Sequence, residues 1–176
     1  MSRQFDGIAP RVDESVYVDP TAVVIGDVVL EKDVSIWPLT VVRGDVNSIR
    51  ISAGSNIQDG SILHVTSPSK ANPEGIKLRI GRNVTVGHQC ILHGCTIEAN
   101  SLIGMGATVM DGAVVESKVM VAARSLIPPG KRLESGYLYM GNPAVRKRLL
   151  SEDELAHMAQ SAIHYVDLKD RYLKDR

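Results

Sequence analysis

Three histidines of this chain occupy two similar short stretches whose residue types suit metal chemistry. The stretch NIQDGSILHV, residues 56–65, places Asn56, Gln58, Asp59 and His64 among aliphatic residues. A second stretch, VGHQCILHGC, residues 86–95, contains two more histidines. Three neutral imidazoles with one position left open for water form a common catalytic zinc site. Whether these histidines meet depends on the fold that positions them.

Large aliphatic residues recur every six positions through most of the chain. A period of six fits neither a helix, with a period of 3.6, nor a plain strand, with a period of 2. Hexapeptide repeats are typical of a parallel β-helix, in which three short sides close one coil. Chance spacing in a β-sandwich is the alternative, and the number of matches argues against it. All eighteen positions are Val, Ile or Leu, namely 12, 18, 24, 30, 36, 42, 51, 57, 63, 80, 86, 92, 97, 103, 109, 115, 121 and 127.

The composition agrees with a solenoid core and narrows the partners. Only 4% of the residues are aromatic, which a core of stacked Val and Ile explains. The formal net charge is zero, so we expect no nucleic acid and no anionic membrane as partner. The N-terminal stretch MSRQFDGIAP lacks the apolar centre of a signal peptide, which favours a cytoplasmic location.

Interruptions of the repeat indicate how the chain is organised. Three extra residues precede Ile51, one residue is missing before Ile97, and residues 69–79 form an eleven-residue excursion. We predict a β-helix domain over residues 1–136, including this excursion. Residues 137–176 are predicted as a connector and a C-terminal α-helix packed outside the coil, because Ser151 and Glu154 form a capping-box signature. An apolar stripe at helical spacing follows at Leu155, Met158, Ala159, Ala162 and Val166.

Counting hexads across these interruptions positions the histidines. Arg43, His64 and His93 each follow a large aliphatic residue by one position, on the same side of successive coils. Because adjacent strand residues point to opposite faces, their side chains should project outward. His64 and His93 should then lie about 5 Å apart at their backbones. His88 belongs to a corner stacked on the coil of Asp59, and reaches the other two only across a subunit interface.

The stretches WPLTVVRGDVNSIRI, NIQDGSILHV and VGHQCILHGC resemble the γ-class carbonic anhydrase family, over nearly the whole chain. The resemblance implies a left-handed β-helix and a homotrimer that holds its metal ions between subunits. His64 and His93 of one chain and His88 of its neighbour match the ligands. The implied metal is Zn²⁺, with Fe²⁺ or Co²⁺ as alternatives, and the implied reaction is the reversible hydration of CO2 to bicarbonate.

The resemblance also implies roles for nearby polar residues. Arg43, Asp45 and Asp59 correspond to a charged network beside the site and the trimer interface, and Gln58 to the residue that hydrogen-bonds the water on the metal. Alternatively, Arg43 and Asp45 form only an interface ion pair.

The chain departs from the family pattern at two positions. Val46 and Ser67 stand where the archetypal enzyme has two glutamates that transfer protons. Rapid proton transfer requires a titratable group within reach, and neither Val46 nor Ser67 supplies one.

Other functions remain open from sequence alone. A hexapeptide-repeat acyltransferase would need a single histidine as its base, which three matched histidines argue against. An acyl-CoA thioesterase and a metal-bearing structural subunit with little catalysis are further alternatives. Tyr139 is a candidate for contact with a neighbouring site. Cys90 and Trp37 are expected in packed positions, and His157 and His164 on the helix surface or in its packing.

Overall fold

The computed structural model describes residues 2–175, which form twenty strands and one helix. In chain order these are β1 (Ser2–Arg3), β2 (Arg11–Val12), β3 (Tyr17–Val18), β4 (Val23–Leu30), β5 (Ser35–Ile36), β6 (Val41–Ile51), β7 (Asn56–Ile57), β8 (Ile62–His64), β9 (Leu78–Ile80), β10 (Thr85–Val86), β11 (Ile91–His93), β12 (Thr96–Ile97), β13 (Leu102–Ile103), β14 (Thr108–Val109), β15 (Val114–Val115), β16 (Met120–Val121), β17 (Leu126–Ile127), β18 (Arg132–Leu133), β19 (Tyr137–Gly141), β20 (Ala144–Leu149) and α1 (Glu152–Lys174).

The strands stack as a left-handed parallel β-helix with three sides, which confirms the predicted fold class. Side one is the sheet β3–β5–β7–β10–β13–β16–β19, with β20 added in antiparallel orientation. Side two carries β8, β11, β14 and β17, and side three carries β9, β12, β15 and β18. The long strands β4 and β6 run through the corner between sides two and three and belong to both.

The large aliphatic residues of the hexads form the core. Sixteen of the eighteen predicted positions are buried. The exceptions lie on the first coil, where Val12 is 43% exposed and Val18 is half-buried. This coil ends the stack, so one edge of it has no neighbour to cover it. The period also continues further than predicted, through the buried residues Leu133 and Tyr139.

Tyr139 is part of this core. Its side chain is 3% exposed, and its hydroxyl accepts a hydrogen bond from the backbone amide of Glu134 at 2.9 Å. Within one chain, the structure therefore assigns Tyr139 to packing, and the candidate contact with a neighbouring site stays a hypothesis.

Two segments differ from the expected boundaries. Leu78 and Arg79, expected within the excursion 69–79, already belong to β9. The excursion is closed by an antiparallel bridge between Thr66 and Ile76. Tyr137–Gly141, expected as a connector, forms β19 and extends side one. The division into two domains at residue 136 stays a prediction.

Helix α1 packs on side one. Ser151 caps it, and Ser151 and Glu154 form the reciprocal hydrogen bonds of a capping box, as predicted. Met158 and Ala162 are buried as expected, whereas Ala159 is exposed. No helix among residues 2–175 has the length and apolarity needed to cross a membrane, and the expected cytoplasmic location stays a prediction.

Aromatic side chains join the helix to the coil. Trp37 is buried, and its ring centroid lies 5.5 Å from that of Tyr165 and 5.2 Å from that of Tyr172 on the helix. The ring of Tyr17 lies 5.3 Å from Trp37. Edge-to-face contacts of this kind add to the burial of apolar area. Trp37 is thus a packing residue, as expected.

A buried lysine also joins the helix to the coil through an ion pair. The side chain of Lys169 is 1% exposed, and its Nζ lies 3.0 Å from Asp33 of the coil and also bonds Asp170. Burial alone would lower the pKa of Lys169, but the hydrogen bonds to Asp170 and Asp33 outweigh it and raise the pKa. The ammonium group is therefore charged when the helix is docked.

Replacing this lysine should weaken the docked helix. We expect Lys169→Ala to lower the free energy of unfolding by about 3 kcal/mol, because it leaves Asp33 without its buried partner. Lys174→Ala, an exposed position on the same helix, is the matched control and should change it by about 0.5 kcal/mol or less. Urea unfolding of both variants measures the difference. Equal effects would show that the ion pair does not hold the helix.

Candidate metal centre

Two adjacent strands of side two bring His64 and His93 together. β8 and β11 pair in parallel with His64 opposite His93. The preceding residues, Leu63 and Leu92, are buried in the core, so the alternation of side chains turns both histidines outward. The ring centroids lie 5.0 Å apart, and His64 Nδ1 is 3.0 Å from His93 Nε2. We call these two residues the histidine pair.

A carboxylate holds the far nitrogen of each ring in the histidine pair. His64 Nε2 lies 3.0 Å from Asp45 Oδ1, and His93 Nδ1 bonds Asp111 Oδ1. Asp45 also accepts a hydrogen bond from Arg43. Burial alone would raise the pKa of Asp45, but the hydrogen bonds from Arg43 and His64 outweigh it and lower the pKa. Asp45 is therefore an ionised acceptor at neutral pH.

The hydrogen bonds to the two carboxylates determine where the histidine pair carries its protons. Ionised carboxylates only accept, so His64 donates from Nε2 and His93 from Nδ1. A neutral imidazole has one N–H. If both rings are neutral, His64 Nδ1 and His93 Nε2 face each other with lone pairs across 3.0 Å. Such an arrangement needs a cation, either an additional proton or a metal ion.

The spacing of the two free nitrogens fits a zinc-type ion. Zn–N bonds of about 2.0–2.1 Å in tetrahedral geometry hold two ligand nitrogens about 3.3–3.4 Å apart. The observed 3.0 Å would need to widen by only a few tenths of an ångström. Imidazoles oriented by carboxylates are the usual arrangement around such ions.

His88 has the same carboxylate support but lies elsewhere. It occupies the corner after β10, and its Nδ1 lies 2.9 Å from Asp59 Oδ2. Its Nε2 is left free on a side chain that is 44% exposed. Within residues 2–175 of one chain, no three His, Cys, Asp or Glu side chains converge as a metal site. His88 therefore does not join the histidine pair in the same subunit.

The predicted polar residues separate into two groups. Arg43 and Asp45 belong to the network around the histidine pair, and Asp59 supports His88. Gln58 is buried and donates to Asn56 Oδ1 at 3.1 Å. Among the described residues, no hydrogen bond joins the Gln58 side chain to a histidine.

Asp111 is the residue that sequence reasoning missed. It bonds His93 and also accepts a hydrogen bond from Thr66 Oγ1 at 2.9 Å. It follows His93 by 18 residues, which is one coil, and β14 before it pairs with β11. Extending the hexad count one coil beyond His93 would have identified it.

The surroundings of the histidine pair include an open cavity and no reactive thiol. A cavity of about 360 Å³ lies beside Asp45, with Val46 and Asn47 in its lining. Ser67 is exposed just before the excursion. Cys90 and Cys95 are buried, and burial raises the pKa of both thiols, that of Cys90 to about 11. Both are therefore core residues, as expected for Cys90.

Comparisons with known proteins find relatives over most of the chain. The chain is 53% identical over 171 residues to protein YrdA of Escherichia coli K12, covering 97% of this chain and 93% of YrdA. It is 48% identical over 162 residues to mitochondrial gamma carbonic anhydrase 2 of Arabidopsis thaliana, covering 91% of this chain and 57% of that protein. The crystal structure of a hexapeptide transferase family protein from Anaplasma phagocytophilum superposes with a TM-score of 0.90 at 41% identity, covering 97% of each chain. No protein-family model matches the chain.

Removing Asp111 should change the proton position on His93. In metal-free protein at mildly alkaline pH, we expect the wild type to carry the His93 proton on Nδ1. In Asp111→Ala the Nε2–H form should become populated, because that proton can bond His64 Nδ1. Long-range ¹H–¹⁵N NMR spectra of the imidazoles distinguish the two forms. Asp167→Ala, at an exposed helix position, should leave His93 as in the wild type. An unchanged His93 in Asp111→Ala would contradict the assigned role.

Proposed function

We propose that this chain, which belongs to the γ-carbonic-anhydrase-like family of hexapeptide-repeat proteins, is a metal-dependent enzyme that reversibly hydrates CO2. The observation that carries the proposal is the convergence of His64 Nδ1 and His93 Nε2, which their carboxylate partners leave as facing acceptors. Nitrogen ligands of this kind suit Zn²⁺, with Fe²⁺ or Co²⁺ as alternatives.

The third ligand comes from a neighbouring subunit in this proposal. His88 is exposed at a corner and has its Nε2 free, so it is available to the histidine pair of another copy. Closed threefold symmetry repeats one such contact three times and gives a homotrimer with three equal sites. Asp59 and Gln58 belong to the same corner and would approach the site together with His88.

The protein's own residues hold and orient the ligands. Asp45, Asp111 and Asp59 each accept a hydrogen bond from one histidine N–H, which fixes the tautomer and leaves the other nitrogen as the ligand. A bound zinc ion would lower the pKa of a water molecule to about 7 and so supply the nucleophile for CO2. Gln58 is proposed to orient that water, and Arg43 to keep Asp45 ionised.

Proton removal is the step that we expect to limit the rate of this proposed reaction. Val46 lines the cavity beside Asp45 and cannot titrate, and Ser67 is also non-acidic. Without a carboxylate there, proton transfer depends on buffer or water, so we expect slow CO2 hydration.

A mixture of two ligand mutants tests the shared site. His64→Ala and His88→Ala should each lose most bound zinc as pure trimers, because each removes one ligand from every site. In mixed trimers, a site can take the histidine pair from a His88→Ala chain and His88 from a His64→Ala chain. Random mixing of equal amounts restores about a quarter of the sites if each site joins two chains of a cyclic trimer. Refolding the mutants together and measuring zinc per trimer by elemental analysis gives the result.

The control mixture is His64→Ala with His93→Ala. Both remove a residue of the histidine pair, so no combination of these chains completes a site, and zinc should stay at the level of the pure mutants. Recovery in this control, or none in the first mixture despite confirmed mixed trimers, would refute a site shared between subunits.

Supplying a carboxylate should accelerate the reaction. We expect Val46→Glu to raise the rate of CO2 hydration, measured by stopped flow, by about 10- to 100-fold, because it provides a proton acceptor beside the site. Val145→Glu, at an exposed position on β20, is the control and should have no effect. No activity in the wild type and in Val46→Glu, with zinc fully bound, would favour a structural role over catalysis.

An acyltransferase is the second candidate, because a structure of 41% identity and TM-score 0.90 is that of a hexapeptide transferase family protein. Such an enzyme needs a histidine base but no metal. Acetyl transfer to an amine that persists after complete metal removal would favour this function over CO2 hydration.

A further inference from the structure

Side three carries a row of cations that the proposed metal site does not use. β6 and β9 pair with Arg50 opposite Arg79, and Arg11 occupies the same row two strands before Arg50, beyond Val29. Neighbouring strands are about 4.8 Å apart, so the backbones of Arg50 and Arg79 are that close. Both side chains point outward because Ile49 and Ile51, and likewise Leu78 and Ile80, are buried.

Nearby carboxylates balance the positive charges of Arg50 and Arg79 only in part. Arg50 donates from Nε to Glu31 Oε1 at 2.8 Å. Arg79 is exposed, and no carboxylate among residues 2–175 lies within ion-pair distance of its side chain. By contrast, Arg132 lies further along the same row and bonds Glu116 at 2.6 Å. Like charges directly opposite each other in a sheet are destabilising, so Arg79 is stabilised better with an added anion than without one.

Two further cations line a surface groove beside Arg50 and Arg79. Arg50 and Arg79 line a cavity of about 440 Å³ together with Arg11 and Lys77, and Asp27 is the one carboxylate in this lining. Because Arg50 is already paired with Glu31, the lining leaves Arg11, Lys77 and Arg79 facing Asp27, and this excess of positive charge favours a ligand with more than one negative charge. Guanidinium groups present planar forks that match phosphate oxygens, and Lys77 adds a compact charge.

The groove continues in two directions. Arg50 and Arg79 also line a second cavity, of about 270 Å³, whose walls include Ile80, Ile97 and Ala99. At the other end, Lys77 and Asp27 also line the cavity of about 360 Å³ beside Asp45. A ligand with its anionic group on Arg79 therefore has space for an apolar or ring-shaped part beside Ile80 and Ile97, whereas the cavity beside Asp45 is lined by carboxylates.

We propose that this groove binds a phosphorylated small molecule through a diphosphate group. Arg79 and Arg50 bind one phosphate. Lys77 and Arg11 face the other phosphate, and Asp27 lies at the end of the cationic lining. A nucleic-acid strand is not the expected ligand, because the cations are confined to one groove and the chain has no net charge.

Inorganic pyrophosphate is the probe for this site. Isothermal titration of the metal-free protein, at an ionic strength held constant with chloride, should show saturable binding by the wild type. Arg79→Gln should weaken this binding by about tenfold or more, because it removes charge-assisted hydrogen bonds to the anion. Arg132→Gln is the matched control, since it neutralises an arginine of the same row outside the groove, and it should bind like the wild type.

Each other outcome would overturn the proposal. The first is that the wild type shows no saturable binding at millimolar pyrophosphate. The second is that Arg79→Gln binds pyrophosphate as well as the wild type does. The third is that Arg79→Gln and Arg132→Gln weaken binding equally, which would indicate a general charge effect. Thermal melting of each variant confirms folding, and a second variant, Lys77→Gln, should weaken binding in the same direction. Zinc content measured separately keeps this result independent of the histidine site.

Discussion

In-register stacking of the core is the constraint on which the rest of the structure depends. Leu63 and Leu92 lie opposite each other on adjacent strands and are fully buried, and burial of each contributes about 1.5–3 kcal/mol. Because side chains alternate along a strand, a slip of one residue would turn the leucines outward and the histidines into the core. The energy of the core therefore fixes the spacing of the histidine pair without any contribution from a bound ion.

Orientation of the two rings comes from a different source. Stacking puts the rings side by side, but only the carboxylates of Asp45 and Asp111 determine which nitrogens face each other. These hydrogen bonds leave two acceptors 3.0 Å apart, an arrangement that is unfavourable until a cation occupies it. An ion therefore binds such a site with a more favourable free energy than it would bind a site whose rings are free to turn.

The hexad period was sufficient to predict a parallel β-helix, the outward direction of His64 and His93, and their contact, whereas the left-handedness came from the family resemblance. It failed where the repeat ends or is replaced. Val12 is exposed because the first coil lacks a neighbour, and the count stopped at Ile127 although Leu133 and Tyr139 continue the period. Asp111 was missed because it acts one coil away from the histidine motifs. The proposed contact with a second subunit depends on surfaces that a repeat count cannot evaluate.

The irregular parts of the coil carry the polar chemistry. β4 and β6 both run continuously through the corner between sides two and three, and the three extra residues before Ile51 make β6 longer, eleven residues against eight. Gly26 and Gly44 allow this close passage, since a Cβ on Gly26 would lie 2.3 Å from the carbonyl oxygen of Gly44. The passage brings Asp45 to His64 and Asn47 to the excursion, where Asn47 Nδ2 donates to the carbonyl of Glu74 at 2.8 Å. The carboxylate that orients His64 and part of the lining of the cavity beside it therefore come from this corner of β6.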